Sequence, residues 1–249
     1  MIMDYQLMKG LTLAIALTIL PMSAFSATPT TLQEDNISQD LLETVQHVSD
    51  ENLKEEQIKL ILEYQSQLLN DSNTPYLGNK NAHLNIIEFF DYECSYCSQI
   101  APTVKNLQEE NPHMRFIFKE APIFSERWEP SIYAAEVGLK IFSQKGIDAY
   151  KDYHNGIYST GLIRGDLTRK EVKLEAQKVG LIAKAKYDDT IVNRNINLFH
   201  SLKLKGEPVF IIMPSSGANK NNIVIINGAD KTKLISVINS QKNKITLQN

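Results

Sequence analysis

The sequence predicts an α/β fold with an inserted helical subdomain and an N-terminal helical extension. The first observation is the order strand, Cys-x-x-Cys, helix, strand between residues 83 and 119. The second is a long block of helical periodicity, Glu126 to about Leu202, which precedes further strand-like segments. The third is a set of apolar residues at helical spacing between residues 37 and 69. Strands that alternate with helices indicate a parallel sheet covered by helices.

Length and charge narrow the class of protein. The chain has 249 residues, enough for one generous domain with an appendage. Its formal net charge is −3, which gives no overall basic character of the kind that attracts nucleic acid. We therefore expect no nucleic-acid partner.

Residues 1–26 have the pattern of a secretory signal peptide. Lys9 precedes an apolar run from Leu11 to Leu20, Pro21 breaks that run, and Ser26 ends a segment of small residues. The alternative, a membrane anchor, needs a run of about 20 residues, and this one is shorter. We therefore expect cleavage after Ser26 and an exported, periplasmic protein in an oxidising compartment.

Residues 27–75 form the predicted N-terminal extension, with two helices. Apolar residues fall at helical spacing in two groups: Ile37, Leu41, Val45 and Val48, then Ile58, Ile61, Leu62, Leu68 and Leu69. The second helix is predicted to start at Asn52, because Asn52-x-x-Glu55 is similar to a capping box. Either these helices pack on their own core, or they form an arm that pairs two protomers. We favour the arm, and with it a homodimer.

The two cysteines, Cys94 and Cys97, admit four interpretations. A structural disulfide across so short a loop stabilises by roughly 2 kcal/mol, near the low end of the range. A closed zinc site needs four ligands, and no second Cys pair or His-x-x-x-His is present. A chance pair of reduced thiols does not suit an oxidising compartment. The fourth interpretation is a redox-active dithiol, which a helix N-terminus favours by lowering the pKa of the first thiol.

The flanks of the motif favour the fourth interpretation. Residues 83–90 are rich in β-branched and aromatic residues and predict a strand, and residues 114–119 predict a second one. Between them, a helix starts near Cys94 and stops at Asn111-Pro112. A Cys-x-x-Cys in this βαβ context is typical of a thioredoxin-like redox site. It predicts Cys94 exposed at the tip and Cys97, one turn further in, more buried.

Glu88 lies in what should be a central strand, buried on both faces. A buried carboxylate needs a partner or a proton, and Lys119 in the neighbouring strand is the natural candidate. The pair would lie beneath the dithiol, where Glu88 would relay a proton to or from Cys97. The alternative is that Glu88 points to solvent from an edge strand.

The segment Glu88-Phe89-Phe90-Asp91-Tyr92-x-Cys94-x-Tyr96-Cys97 resembles the active-site signature of the DsbA-like family of periplasmic thiol–disulfide oxidoreductases. Residues 119–123 resemble that family's next strand and its exit. The resemblance implies that Cys94 is the nucleophile and Cys97 the resolving thiol. It implies the Glu88–Lys119 pair as well, and it places Tyr96 at the substrate surface.

The same resemblance assigns the rest of the chain. Residues 76–249 become the thioredoxin-like domain, with the helical insertion at about 124–204. Within the insertion we expect His154 to be a packed or surface residue rather than a ligand, and Trp128 to be a core or subdomain contact. Beyond the insertion, a last strand at 223–226 and a helix at 231–240 are predicted.

Pro208, in Gly206-Glu207-Pro208-Val209, opens the third core strand. From the residues alone it is a strand-opening proline. The resemblance implies a cis-proline loop that faces the dithiol and pairs with an extended substrate segment. Glu207 stands where that family usually has Thr or Val. A carboxylate there would raise the pKa of Cys94, as would Glu93, so we predict a less oxidising site than that of a strongly oxidising DsbA.

The predicted activity is thiol–disulfide exchange with exported proteins, unfolded or misoxidised, through a mixed disulfide at Cys94. No cofactor or metal is required beyond the redox-active disulfide. An oxidase and an isomerase or reductase remain open, recycled by a membrane redox partner of DsbB or DsbD type. A non-enzymatic periplasmic chaperone or binding protein is the remaining alternative.

Overall fold

The structure is a computed structural model that describes residues 34–184 and 186–246. The predicted signal peptide, residues 1–26, lies outside the described residues. The chain divides into two compact units, residues 1–47 and 48–249. The whole sheet and the predicted redox motif belong to the second unit.

In the N-terminal extension the first predicted helix and most of the second form one continuous helix, which a short helix follows. Helix α1 spans Glu34–Glu63 and helix α2 spans Gln65–Leu69. Asn52 and Glu55 lie inside α1, so the predicted capping box is wrong. Asn is a weaker helix former than Ala by less than about 1 kcal/mol, too little to stop a helix by itself.

Five strands form one sheet, and its order is β1-β3-β2-β4-β5. The strands are β1 (Tyr76–Gly78), β2 (Leu84–Phe90), β3 (Arg115–Glu120), β4 (Val209–Pro214) and β5 (Val224–Asn227). Strands β2 and β3 are parallel, and all other neighbours pair antiparallel. Every residue of β2 is buried, so the strand that leads into the cysteine motif is central, as predicted.

The helices occupy the predicted places with some changes of extent. They are α3 (Ser95–Glu110), α4 (Pro130–Lys145), α5 (Ile147–Ser159), α6 (Arg169–Lys178), α7 (Thr190–Ser201) and α8 (Lys231–Thr246). Helices α4 to α7 form the insertion between β3 and β4. The expectation of helix throughout the block from Glu126 to about Leu202 is wrong for the segment that begins at Ile182, because α7 starts only at Thr190. Ile182 is 90% exposed, so its apolar character does not mark a buried helix face.

The sheet separates two hydrophobic clusters because side chains alternate between its faces. On one face, here called the thiol face, Ile86, Phe90 and Phe118 pack with α3, α4 and α5. On the other face, here called the extension face, Ile87, Phe89 and Ile117 pack with α1, α2 and α7.

The two groups of apolar residues in the extension behave differently. Ile58, Ile61, Leu68 and Leu69 are buried in the extension-face cluster. Val45 and Val48 of the first group are 66% and 52% exposed, and Leu42 is 70% exposed. The second group therefore packs on the protein's own core, whereas these members of the first group do not.

Two residues of the insertion match their predicted roles. His154 is buried at 6% exposure, edge-on to the Phe90 ring with centroids 4.9 Å apart. Trp128 is half-buried and packs on the Phe124 ring, with centroids 5.6 Å apart. Its indole also lies where a side chain on Gly165 would stand, since a Cβ there would be 2.8 Å from it.

Candidate active site

Cys94 caps the N-terminus of α3. Strand β2 ends at Phe90, and residues 91–93 turn the chain so that the Cys94 amide donates to the Asp91 carbonyl at 3.1 Å. The Cys94 backbone is extended, and its Sγ accepts a hydrogen bond from the Cys97 amide at 3.4 Å. A sulfur atom therefore takes the place that a hydroxyl or carboxylate oxygen usually fills at a helix start.

Both thiols are buried and free. Cys94 is 4% exposed and Cys97 is 0% exposed, and no disulfide joins them. The expectation that Cys97 is the more buried thiol is correct. The expectation of a Cys94 exposed at the tip is wrong, because the loop that carries Glu207 covers it: the Cys94 thiol donates to the Glu207 carbonyl at 3.3 Å. The exposed member of the motif is Tyr96, at 61%.

The surroundings divide the two sulfurs chemically. A hydrogen bond from the Cys97 thiol, with further ones from the amides of Cys97 and Tyr96, lowers the pKa of Cys94. Burial and the nearby Asp91 act against that lowering. Burial raises the pKa of Cys97 well above its ordinary value, and the bond to Cys94 and the charge of Glu207 add to this. Cys94 is thus the thiol that ionises first, and the thiolate is the nucleophilic form.

The peptide bond between Glu207 and Pro208 is cis, as the resemblance implied. The Pro208 carbonyl accepts a hydrogen bond from the Gly228 amide at 2.7 Å, which ties the loop to the end of β5. The loop therefore presents backbone groups directly beside Cys94.

The predicted Glu88–Lys119 pair is wrong. In the parallel register, Glu88 lies opposite Phe118 and Phe89 lies opposite Lys119. Since side chains alternate across a sheet, Glu88 points to the thiol face and Lys119 to the extension face. Residues that lie directly opposite each other on adjacent strands point to the same face, and a shift of one residue puts them on opposite faces. Glu88 and Lys119 differ by one such step.

Lys119 has other partners, all from the N-terminal extension. Its Nζ donates to the Gln67 carbonyl and to Thr74 Oγ1, both at 2.8 Å, and it lies 3.7 Å from Asp71 Oδ2. Burial lowers the pKa of Lys119 to about 8, although Asp71 opposes that shift. Lys119 is therefore a structural cation on the face away from the thiols. Its position does not support the predicted catalytic role.

Glu88 lies near Cys94 on the thiol face, and no cation among the described residues pairs with it. It is 4% exposed, and among the described residues its Oε2 has no hydrogen-bond partner. Burial raises the pKa of Glu88 to about 8, and the charge of Cys94 adds to the shift. The carboxyl group is thus stabilised by a proton rather than by an ion pair.

The sequence reasoning missed the role of Asp91. Its Oδ1 accepts from the Glu93 amide at 2.8 Å and from Ser131 Oγ at 2.7 Å, and its Oδ2 accepts from the Phe124 amide at 3.0 Å. These bonds join the turn before Cys94 to the start of the insertion. The local bond from the Glu93 amide could have been predicted, because aspartate side chains commonly accept from the amide two residues later. The long-range bonds from Phe124 and Ser131 could not, since no local pattern indicates them.

Glu93 does not act on Cys94 as predicted. Its Oε2 accepts from the Gly165 amide at 2.7 Å, and burial raises its pKa to about 7. The carboxylate that works against ionisation of Cys94 is that of Asp91. Glu207 is also buried, and burial is the main reason why its pKa lies well above the ordinary value. The charges of Asp91, Cys94 and Glu88 raise that pKa further. A carboxyl group that holds its proton exerts no full negative charge on the thiolate, so Glu207 disfavours ionisation of Cys94 less than the sequence predicts.

Tyr92, Glu120 and His154 form a further buried polar cluster. The Tyr92 hydroxyl donates to Glu120 Oε1 at 3.1 Å and lies 3.3 Å from His154 Nδ1. Burial raises the pKa of Glu120 to about 8 and lowers that of His154 to about 3. His154 is therefore neutral near neutral pH and fills space among aromatic rings.

Residues 34–184 and 186–246 contain no group of three or more His, Cys, Asp or Glu side chains placed to hold a metal ion. Among the helices of these same residues, none has the length and apolar character needed to cross a bilayer.

The profile of the thioredoxin family matches residues 70–221, which is more than half of the chain. The chain belongs to the thioredoxin family. Among solved structures, this thioredoxin-family protein is similar to BcfH of Salmonella enterica Typhimurium, with 31% sequence identity and a TM-score of 0.73. That match covers 83% of this chain and 89% of BcfH. No curated protein sequence matched the chain significantly.

More distant structures share the fold. A linker-deletion variant of Proteus mirabilis ScsC is 22% identical with a TM-score of 0.67, and the match covers 88% of this chain and 99% of that one. The thiol–disulfide exchange protein α-DsbA2 of Wolbachia pipientis is 23% identical with a TM-score of 0.61, over 76% of this chain and 97% of that one. These neighbours confirm the predicted resemblance to DsbA-like proteins.

Proposed function

We propose that this protein catalyses thiol–disulfide exchange in exported proteins, forming or rearranging their disulfides through Cys94 and Cys97. The observation that carries the proposal is the asymmetry of the two sulfurs. Cys94, at the start of α3, has a lowered pKa, whereas Cys97 is fully buried with a raised pKa. A structural disulfide needs no such division between an ionisable and a protonated thiol.

In the proposed reaction Cys94 is the nucleophile. Its thiolate attacks a client disulfide, a bond forms between Cys94 and one client sulfur, and the other client sulfur leaves as a thiolate. Cys97 then attacks Cys94 and releases the client. In the opposite direction, a client thiolate attacks the Cys94–Cys97 disulfide, and Cys97 is the leaving group. Glu88, buried beside Cys94 with an unpartnered oxygen, would take or supply the proton of Cys97.

The client would bind along the cis-proline loop. The Glu207 carbonyl already contacts Cys94, so an extended client backbone running past Pro208 would bring its own sulfur to the same point. Tyr96, exposed in the first turn of α3, supplies apolar surface beside this path.

The compartment and the recycling partner are part of the proposal. The predicted signal peptide favours export to the periplasm. A structural neighbour from Salmonella enterica serovar Typhimurium, 23% identical, is described as a periplasmic thioredoxin-like protein. A membrane redox partner of DsbB or DsbD type would restore the working state of the dithiol, depending on whether oxidation or isomerisation prevails.

Cysteine variants test the activity. Refolding of a protein with scrambled disulfides should be lost in Cys94→Ala. In Cys97→Ala, mixed disulfides with the client should accumulate, because nothing resolves them. If Cys94→Ala retained full refolding activity, the protein would be a chaperone or binding protein instead. Trapping of free thiols in cells would show whether the dithiol or the disulfide prevails, which separates isomerase from oxidase.

We further propose that α1 carries a surface for a second copy of this chain. Leu42 and Val45 lie three positions apart, so they share one face of the helix, and they are 70% and 66% exposed. In a homodimer the same two side chains of each copy would cover each other, as a two-fold interface requires.

Sedimentation of the full chain tests this surface. Leu42→Glu combined with Val45→Glu keeps helix-forming residues but should convert a dimer to a monomer. Leu174→Glu changes another exposed apolar residue, 47% exposed in α6, and should leave the dimer intact. A monomeric unaltered protein, or a dimer that survives both α1 substitutions, would contradict the proposed surface.

A further inference from the structure

Glu207 carries a buried carboxyl group with no partner for its oxygens. The residue is 5% exposed, and within the described residues neither Oε1 nor Oε2 has a hydrogen-bond partner. Burial of a polar group without a hydrogen bond is costly, and such groups in native proteins are few. A catalytic or redox role is one of the explanations for such a group.

The backbone of Glu207 lies directly beside the Cys94 sulfur. The Glu207 carbonyl accepts from Cys94 Sγ at 3.3 Å, so the residue itself forms part of the wall around the sulfur. Its side chain lies within electrostatic range of Cys97, Cys94 and Glu88. The titratable groups that face the two sulfurs are therefore Glu88, Asp91, Glu207 and the Tyr158 hydroxyl. The Asp91 carboxylate already accepts three hydrogen bonds, whereas the carboxyl oxygens of Glu207 accept none within the described residues.

We propose that the Glu207 side chain carries the proton of the Cys97 thiol during disulfide exchange, in addition to Glu88. The inference rests on the proposed function, since it assigns a role in that same reaction. It makes Glu207, the residue directly before Pro208, a catalytic residue. The backbone of Glu207 would contact the client, and its side chain would exchange a proton with Cys97.

The chemistry balances in both directions. When a client thiolate attacks the disulfide, the Cys94–Cys97 bond breaks and its electron pair stays on Cys97. The Glu207 carboxylic acid gives that sulfur its proton, and a bond forms between Cys94 and the client. A second client thiolate displaces Cys94 as a thiolate and forms the client disulfide, so two electrons move from client to protein. In reverse, the Glu207 carboxylate accepts the Cys97 proton as Cys97 attacks the mixed disulfide. Solvent restores the protonation state of Glu207.

Burial supplies the needed protonation state. It keeps the pKa of Glu207 well above the ordinary value, so the group is an acid in the oxidised protein and can donate when Cys97 leaves. The charge of a Cys94 thiolate raises that pKa further. Loss of this charge in the mixed disulfide therefore makes Glu207 readier to become the carboxylate that accepts the Cys97 proton.

The test isolates the step that Cys97 performs. In the full chain, Cys94 is loaded as a mixed disulfide with 5-thio-2-nitrobenzoate, and release of the coloured thiolate by Cys97 is timed across the pH range in which the carboxyl groups titrate. Glu207→Gln should slow release by about tenfold to a hundredfold near neutral pH. This is at or below the lower limit of about a hundredfold for a lost acid–base group, because Glu88 remains. The difference should shrink at high pH, where solvent deprotonates Cys97 directly.

Matched variants separate this role from a structural one. Glu136→Gln alters another buried carboxyl group, in α4 of the insertion, and should leave the rate and its pH profile unchanged. Glu207→Asp keeps an acid one methylene shorter and should give a rate between those of the unaltered protein and Glu207→Gln. If Glu207→Gln proves unstable, infrared difference spectra of the unaltered protein report carboxyl protonation between the mixed-disulfide and disulfide states.

The outcomes distinguish the two proposals. If the unaltered protein does not form the mixed disulfide at Cys94, or Cys97 does not resolve it, the proposed function is wrong. If it does so and Glu207→Gln resolves it equally fast at every pH, only the role of Glu207 is wrong. Infrared spectra in which no carboxyl group outside Glu88 changes protonation would also overturn that role.

Discussion

The two faces of the central sheet treat buried charged residues in opposite ways. Lys119 on the extension face is 0% exposed and has partners from Gln67, Thr74 and Asp71. Glu88 on the thiol face is nearly as buried, yet one of its oxygens has no partner among the described residues. One face neutralises its ion with an acidic partner, and the other keeps a carboxyl group protonated beside two sulfurs. Pairing favours stability, whereas an unpaired titratable group suits the proton transfer that we propose for Glu88.

The difference gives the two faces opposite pH dependences. Glu88 has a folded pKa of about 8, raised above that of the unfolded chain, so the folded state binds more protons between the two values and stability falls as pH rises through them. Lys119 has a folded pKa of about 8, lowered below that of the unfolded chain, so its contribution to stability rises with pH above 8. Glu120, at about 8, and Glu93, at about 7, act in the same sense as Glu88.

The largest expected effect comes from breaking the pair on the extension face. Asp71→Ala leaves Lys119 buried and Arg194 without its partner, and should lower the free energy of unfolding by about 3 kcal/mol in urea denaturation. The matched control is Glu56→Ala, which removes the exposed ion pair with Lys203 and should cost at most about 1 kcal/mol. Adding Lys119→Met to Asp71→Ala should recover part of the loss. Equal losses in Asp71→Ala and Glu56→Ala would mean that burial does not matter here.

On the thiol face, we expect substitution of Glu88 to change how the free energy of unfolding depends on pH more than its average value. Glu88→Gln removes a group that is neutral in the folded protein below about pH 8. The decline in unfolding free energy from acid pH towards pH 8 should therefore become shallower, while disulfide exchange slows. Chemical denaturation at several pH values, on the reduced protein, provides the measurement. An unchanged slope would show that Glu88 is not protonated when folded.

The smallest expected effect is at His154. Its pKa of about 3 means that it carries no charge near neutral pH, and its contact with the Tyr92 hydroxyl is a single long hydrogen bond of 3.3 Å. His154→Phe should change the free energy of unfolding by about 1 kcal/mol or less. It should leave the pH dependence of exchange near neutrality unaltered. A lost titration step in that range would show that His154 ionises after all.

The sequence was sufficient where local pattern determines structure. Strong apolar runs predicted β2, β3 and β4, and the Cys-x-x-Cys between a strand and a helix predicted the site. Strand β1 was missed because three residues, Tyr76–Gly78, are too few to show a period of two. The partner of Lys119 was missed because a shift of register by one residue exchanges the faces of a strand, and the sequence does not fix that register. The burial of Glu207 depends on how a distant loop packs on α3, which no local pattern reports.

In the loop before β4, the backbone and the side chain of Glu207 have separate proposed roles. The Glu207 carbonyl contacts the reactive sulfur, while its side chain is enclosed with the buried carboxyl groups. Every amino acid other than proline supplies the same carbonyl and amide, so exchange of the side chain at this position leaves the proposed backbone surface for clients in place. If the proposed roles hold, substitution of Thr, Val, Gln or Asp at position 207 adjusts the redox chemistry of the site while the proposed client surface is kept.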